Sequence, residues 1–189
     1  MSKDIIIIGS STGGPKVLNE MFMEIPALDA SIVIIQHVPP LFDKVIAERL
    51  NELSKFTVKV AEHGEVLKNG TAYMAPSQKH LRLANNSRIV ISEDEKVNSC
   101  RPSVDVAMKS LVSQSSGKLV GVILTGLGRD GALGIGHIKD LGGTTMAQDE
   151  HSCVIFGMPK CAIATGKVDH VLPPHKIIEK LSALFGRIK

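Results

Sequence analysis

The chain has 189 residues, 43% of them hydrophobic, with a formal net charge of +3 and no tryptophan, enough to bury one α/β domain and too little for two ordinary ones. No apolar run approaches the roughly 20 residues that span a bilayer, and Ile5–Ile8, with Asp4 against it, is too short for a signal peptide. Thinly spread basic residues and a single tyrosine, Tyr73, argue against nucleic-acid binding; three cysteines (Cys100, Cys153, Cys161) without a C-x-x-C pair fit a reducing cytoplasm and argue against zinc or a disulfide frame.

Along the chain, apolar runs alternate with helical patterns, which is the mark of parallel βαβ units. The expected fold class is therefore α/β: a doubly wound, mostly parallel sheet with helices on both faces. The pattern predicts strands over residues 4–9, 31–36, 57–61, 118–125, 143–147 and 168–172, and helices over 14–25, 40–53, 102–114, 130–141, 158–165 and 174–186. In the first helix Val17, Leu18, Met21, Phe22 and Ile25 form a core stripe. The rhythm breaks between Gly64 and Ser92, where Thr71–Ala75, Leu81–Ala84 and Arg88–Ile91 are separated by Asn69-Gly70 and Asn85-Asn86. These turn signals predict a small antiparallel hairpin excursion. Arg101-Pro102-Ser103 then opens the next helix. No repeat or linker divides the sequence, so residues 1–189 are expected to form a single domain.

The first strand runs into Gly9-Ser10-Ser11-Thr12-Gly13, a Gly-x-Ser-x-Gly elbow ahead of a helix with Pro15 in its first turn. Such a turn holds a serine in a strained conformation with its hydroxyl projecting outward, and the spacing selects Ser11 over Ser10. Serine is a poor nucleophile without a base and an orienting acid. His37 closes the run Ser31–Gln36, and Asp130 lies just beyond the strand that ends near Leu124. Parallel strands deliver their carboxyl ends to one edge, so Ser11, His37 and Asp130 are expected to meet there as nucleophile, base and acid. Asp130 is also a candidate cap for the helix that follows it. Gly126-Leu127-Gly128 and Thr12 are candidate oxyanion donors through backbone N–H groups, Thr12 alternatively giving its hydroxyl to the histidine. The order Ser, His, Asp differs from that of α/β-hydrolases and disfavours a lipase-like enzyme. The remaining six histidines show no metal-ligand spacing, and no metal or cofactor is expected.

Gly9-Ser10-Ser11-Thr12-Gly13-Gly14-Pro15, Gln36-His37-Val38-Pro39, Tyr73-Met74-Ala75-Pro76, Arg101-Pro102-Ser103-Val104-Asp105, Thr125–Gly131, Ala147-Gln148-Asp149 and Phe156-Gly157-Met158-Pro159 together resemble the catalytic domain of the bacterial chemotaxis methylesterases, the CheB family. The resemblance covers almost the whole chain. It implies a cytoplasmic serine hydrolase that demethylates glutamyl methyl esters, and deamidates glutamines, on the cytoplasmic helices of chemoreceptors. It places the nucleophile on Ser11, the base on His37, the acid on Asp130 and the oxyanion-side loop on Leu127, where the family usually has Met. The family's usual form carries an N-terminal receiver domain that restrains the esterase. None precedes Met1, so a catalytic domain alone is expected, with a receiver domain as a further candidate partner. Two rivals remain open: an esterase or amidase acting on a diffusible substrate, and a catalytically silent domain that binds an anion or a partner at the Gly-rich turn.

Overall fold

A computed structural model describes residues 3–114 and 116–186. Seven strands form one parallel sheet: β1 (Ile5–Ser10), β2 (Ser31–Gln36), β3 (Thr57–Val60), β4 (Thr71–Met74), β7 (Leu119–Ile123), β8 (Thr144–Gln148) and β9 (His170–Leu172), in the order β3-β4-β2-β1-β7-β8-β9. Two further strands, β5 (His80–Ala84) and β6 (Arg88–Ser92), pair antiparallel as a separate hairpin. The helices are α1 (Gly14–Glu24), α2 (Phe42–Leu53), α3 (Val104–Lys109), α4 (Ala132–Asp140), α5 (Met158–Ile163) and α6 (Pro174–Leu184).

The run Ile5–Ile8 shows why the sheet is wound on both sides. Side chains alternate across a strand, and here both faces are apolar and fully buried. Ile6 and Ile8 enter a core with Leu18, Phe22 and Ile46 from α1 and α2 and Ile177 and Leu181 from α6. Ile5 and Ile7 enter a second core with Ala107 and Met108 of α3, Ile135 of α4 and Leu81, Leu83 and Ile89 of the hairpin. Each such isoleucine contributes about 1.5–3 kcal/mol by its removal from water.

The structure departs from the sequence pattern in two places. Thr71–Met74, expected in the antiparallel excursion, is a parallel strand of the main sheet, inserted between β2 and β3. Its consecutive Ala72, Tyr73 and Met74 are all buried, which fits a central strand packed on both faces and not a hairpin arm. The excursion reduces to β5–β6, turned by Asn85 and Asn86 at φ 51° and 52°. The helix expected over 102–114 is the short α3. Beyond Lys109 the hairpin captures the chain: Ser110 Oγ accepts from Leu83 N–H, and the Asn86 carboxamide pairs with both backbone groups of Val112.

The chain builds outward from β1 through β2 to β4 and β3, then returns to place β7 on the other side of β1. A crevice opens at such a reversal, outside the carboxyl ends of the strands. The loops after β1, β2 and β7 all leave the sheet there. Among the described residues no helix is long and apolar enough to cross a membrane.

Candidate active site

The turn after β1 is pinned from both neighbouring strands. Ser11 N–H donates to the Thr125 carbonyl (3.0 Å) beyond β7, and His37 N–H donates to the Ser10 carbonyl (3.0 Å). The Gln36 carboxamide, buried at the end of β2, donates to the carbonyls of both Ser11 (2.9 Å) and His37 (3.0 Å) and accepts from Ser10 Oγ (2.6 Å). One side chain therefore fixes the backbone on which the serine and the histidine stand. Gly13 takes φ +84°, and a Cβ there would lie 2.6 Å from Val154 Cβ. At Gly126 a Cβ would lie 2.8 Å from Ser11 Cβ, so the loop after β7 abuts the serine directly.

That loop is itself anchored. Thr125 N–H donates to Gln148 Oε1 (2.8 Å), and Thr125 Oγ1 accepts from Ile155 N–H (3.0 Å) and donates to the Thr12 carbonyl (3.0 Å). Further along it, Asp130 turns back to His37, with His37 Nε2 2.9 Å from Asp130 Oδ2 and the two side chains only 14% and 2% exposed.

Asp130 receives four more hydrogen bonds: from Ser103 Oγ (2.7 Å), Val104 N–H (2.7 Å), Asp105 N–H (3.2 Å) and Asn98 Nδ2 (3.1 Å). It does not cap α4, whose cap residue is Gly131 without a side-chain bond; it meets the first turn of α3 instead. Burial works against its charge, but the hydrogen bonds from His37, Ser103, Val104 and Asn98 prevail and hold the carboxyl below its ordinary pKa. Asn98 also donates to Asp105 (2.8 Å), whose carboxyl is pushed up by burial and further by the charge of Asp130, against a hydrogen bond from Gly134 N–H.

A carboxylate only accepts, so Nε2 of His37 carries the proton and the lone pair of the neutral ring sits on Nδ1. The neighbour of Nδ1 is Cys100 Sγ, at 3.7 Å. Burial lowers the pKa of His37, but the bonds to Asp130 and Cys100 outweigh it and raise the group from its ordinary 6.5 to about 9. Among the described residues no hydrogen bond joins Ser11 Oγ to His37. The site thus holds Asp130 and His37 bonded to each other, with the half-buried Ser11 on the adjoining turn.

Thr12 and Leu127 flank that turn. Both are exposed, Leu127 at 72%, and among the described residues no hydrogen bond takes up either N–H. A cavity of about 240 Å³ opens beside His37, walled also by Val38, Lys96, Cys100 and Arg101, and Ser11 does not line it. Arg101 donates to the Glu93 and Asp94 carbonyls (2.7 and 3.0 Å). His151 is exposed on the turn after β8.

The CheB methylesterase profile matches residues 6–181. The chain belongs to the CheB methylesterase family. It is 46% identical over 185 residues, 95% of its length, to a protein-glutamate methylesterase/protein-glutamine glutaminase of Archaeoglobus fulgidus, and 44% identical over 188 residues to one from Thermotoga maritima. It covers 53% and 55% of those two proteins, so the chain spans about half the length of the curated relatives it matches. The crystal structure of the Thermotoga maritima CheB methylesterase catalytic domain superposes with a TM-score of 0.92 at 43% identity, covering 97% of this chain and 100% of that one.

Three supporting residues escaped the sequence reading. Gln36 closes an apolar strand and belongs to the motif Gln36-His37-Val38-Pro39, but neither signal assigns it a role. Asn98 and Cys100 lie in a polar loop whose contacts with Asp130 and His37 are long-range.

Proposed function

We propose that this chain is a methylesterase catalytic domain that hydrolyses glutamyl methyl esters, and deamidates glutamines, on the cytoplasmic helices of chemoreceptors, in chemotaxis adaptation. The observation that carries the reading is the pairing of His37 with buried Asp130 on the same loop that bonds the Ser11 backbone. Residues 1–189 act as one catalytic unit, and a receiver domain is a second partner.

In the reaction, Ser11 Oγ attacks the ester carbonyl while His37 Nδ1 takes the hydroxyl proton and Asp130 stabilises the imidazolium. Ser11 Oγ and Nδ1 come into hydrogen-bond reach in the substrate complex, as catalytic bonds commonly tighten there. The Thr12 and Leu127 N–H groups, which no hydrogen bond takes up among the described residues, receive the developing oxyanion. Proton return from His37 expels methanol, or ammonia from a glutamine, and leaves an acyl-enzyme. Water, deprotonated by the same nitrogen, then releases the glutamate and Ser11. The chemistry needs only these side chains and backbone donors. Leu127 and Val154 (56% exposed) stand apolar and open beside the serine turn, a rim suited to a side chain presented on a helix and not to an engulfed small molecule.

The test is release of methanol from methylated chemoreceptor membranes. The parent chain is expected to release it, and Ser11→Ala to abolish release. No release from folded parent protein would overturn the reading.

A further inference from the structure

His37, Cys100 and Asp130 come from three separate segments, which is why no spacing in the sequence marks them as a group. One ligand atom from each lies within 4.8 Å of the other two. His37 Nδ1 and Cys100 Sγ are 3.7 Å apart. Zinc–sulfur and zinc–nitrogen bonds of about 2.3 and 2.0–2.1 Å at a tetrahedral angle separate the two donors by roughly 3.5–3.6 Å. The pair therefore already stands near the separation of two ligands on one ion.

The surroundings fit the same role. Asp130 Oδ2 accepts a hydrogen bond from Nε2–H at 2.9 Å, the carboxylate–histidine arrangement that fixes a ligating ring and strengthens the donor on its far side. Its oxygens are filled by five hydrogen bonds, so it acts as an outer partner and not as a ligand. The cavity of about 240 Å³ opens on both His37 and Cys100, giving water access to the remaining coordination positions. Arg101, on the same wall, directs Nη1 to the Glu93 and Asp94 carbonyls, and its charge and that of Lys96 are what the Cys100 thiolate must offset for a cation to enter. A thiolate with an imidazole selects zinc and similar thiophilic cations over magnesium or calcium.

We propose that His37 and Cys100 form an inhibitory site for a thiophilic divalent cation of the Zn2+ class. On binding, Cys100 releases its thiol proton and the His37 imidazolium its Nδ1 proton to solvent, and Nδ1 then gives its lone pair to the ion, so that binding strengthens as pH rises toward about 9. The ring then has no lone pair with which to take the Ser11 proton, so metal occupancy and base catalysis exclude each other. That consequence rests on His37 being the base; the binding site does not.

The test is a titration of the full chain with Co2+, read by the thiolate-to-cobalt charge-transfer band. One equivalent is expected to develop the band, Zn2+ to abolish it by displacement, and Cys100→Ser and Cys100→Ala to lose it, while Cys153→Ser/Cys161→Ser keeps it. In parallel Zn2+ should suppress methanol release, and Cys100→Ser should raise the half-inhibiting concentration at least about tenfold, each variant referred to its own metal-free rate. A band that survives Cys100→Ser, no band at millimolar Co2+, or an unchanged half-inhibiting concentration would each overturn the proposal. A Cys100-dependent band on a protein that releases no methanol would uphold the site and count against the esterase reading alone.

Discussion

Replacing Asp130 by Asn changes two things at the base while preserving shape. The carboxylate supports a His37 pKa raised from 6.5 to about 9, equivalent to roughly a 300-fold preference for the imidazolium, shared between Asp130 and Cys100. Loss of the Asp130 share lowers the stability of the ion pair formed when Ser11 is deprotonated. Asn also turns an N–H toward Nε2 or competes with the donors already there, and an N–H facing Nε2 moves the ring proton to Nδ1, the nitrogen required as base. The two effects together predict a fall of about 10³–10⁴ in kcat, the order seen when a triad acid becomes its amide, or ~4–5.5 kcal/mol of transition-state stabilisation. KM should change little, because Asp130 is buried and does not reach substrate. The assay is methanol release at saturating receptor, with a thermal melt alongside. The melt is expected to show a loss of about 1–3 kcal/mol, since Ser103 Oγ, Asn98 Nδ2 and the Val104 and Asp105 N–H groups all compete for the single remaining acceptor oxygen. A folded Asp130→Asn protein retaining more than a tenth of the parental kcat would refute the argument.

Gln36→Ala removes the donors to the Ser11 and His37 carbonyls; a stability loss of ~2–3 kcal/mol in chemical denaturation, with a lower kcat, is expected. Gly126→Ala drives a Cβ to within 2.8 Å of Ser11 Cβ and 2.4 Å of Met158 Sδ, so esterase turnover should fall even where far-ultraviolet circular dichroism stays native. In chelator-containing buffer, kcat/KM should rise with pH toward a plateau above about 9, because His37 is protonated below that value and only the neutral ring is a base. The same raised pKa stabilises the folded protein fully below about 6.5, and this contribution is lost as pH rises through about 9, which urea unfolding at several pH values would show.

Much of this arrangement was legible before the structure. The run Ile5–Ile8, followed by the Gly-rich elbow, is a local signal for both the strand and the turn that ends it, and the strand ends at Gln36 and near Leu124 put His37 and Asp130 on one edge. Thr71–Met74 was misplaced because a four-residue apolar run beside an Asn-Gly turn carries no information on whether its partner runs parallel. Only its burial between β2 and β3 decides that. Asp130 stands in the sequence where a cap for its own helix would, yet it bonds α3, some 25 residues earlier, because the return of the chain to β7 brings the two loops together. Cys100 lies 63 residues from His37, and its place beside Nδ1 follows from loop packing that no periodicity records.

A Ser11 activated by His37 and Asp130 should react with a fluorophosphonate, and mass mapping of the adduct reads that reactivity residue by residue. One adduct is expected, on Ser11, absent in Ser11→Ala and formed far more slowly in Asp130→Asn. A serine adduct elsewhere, or equal labelling of the parent and Asp130→Asn proteins, would contradict it.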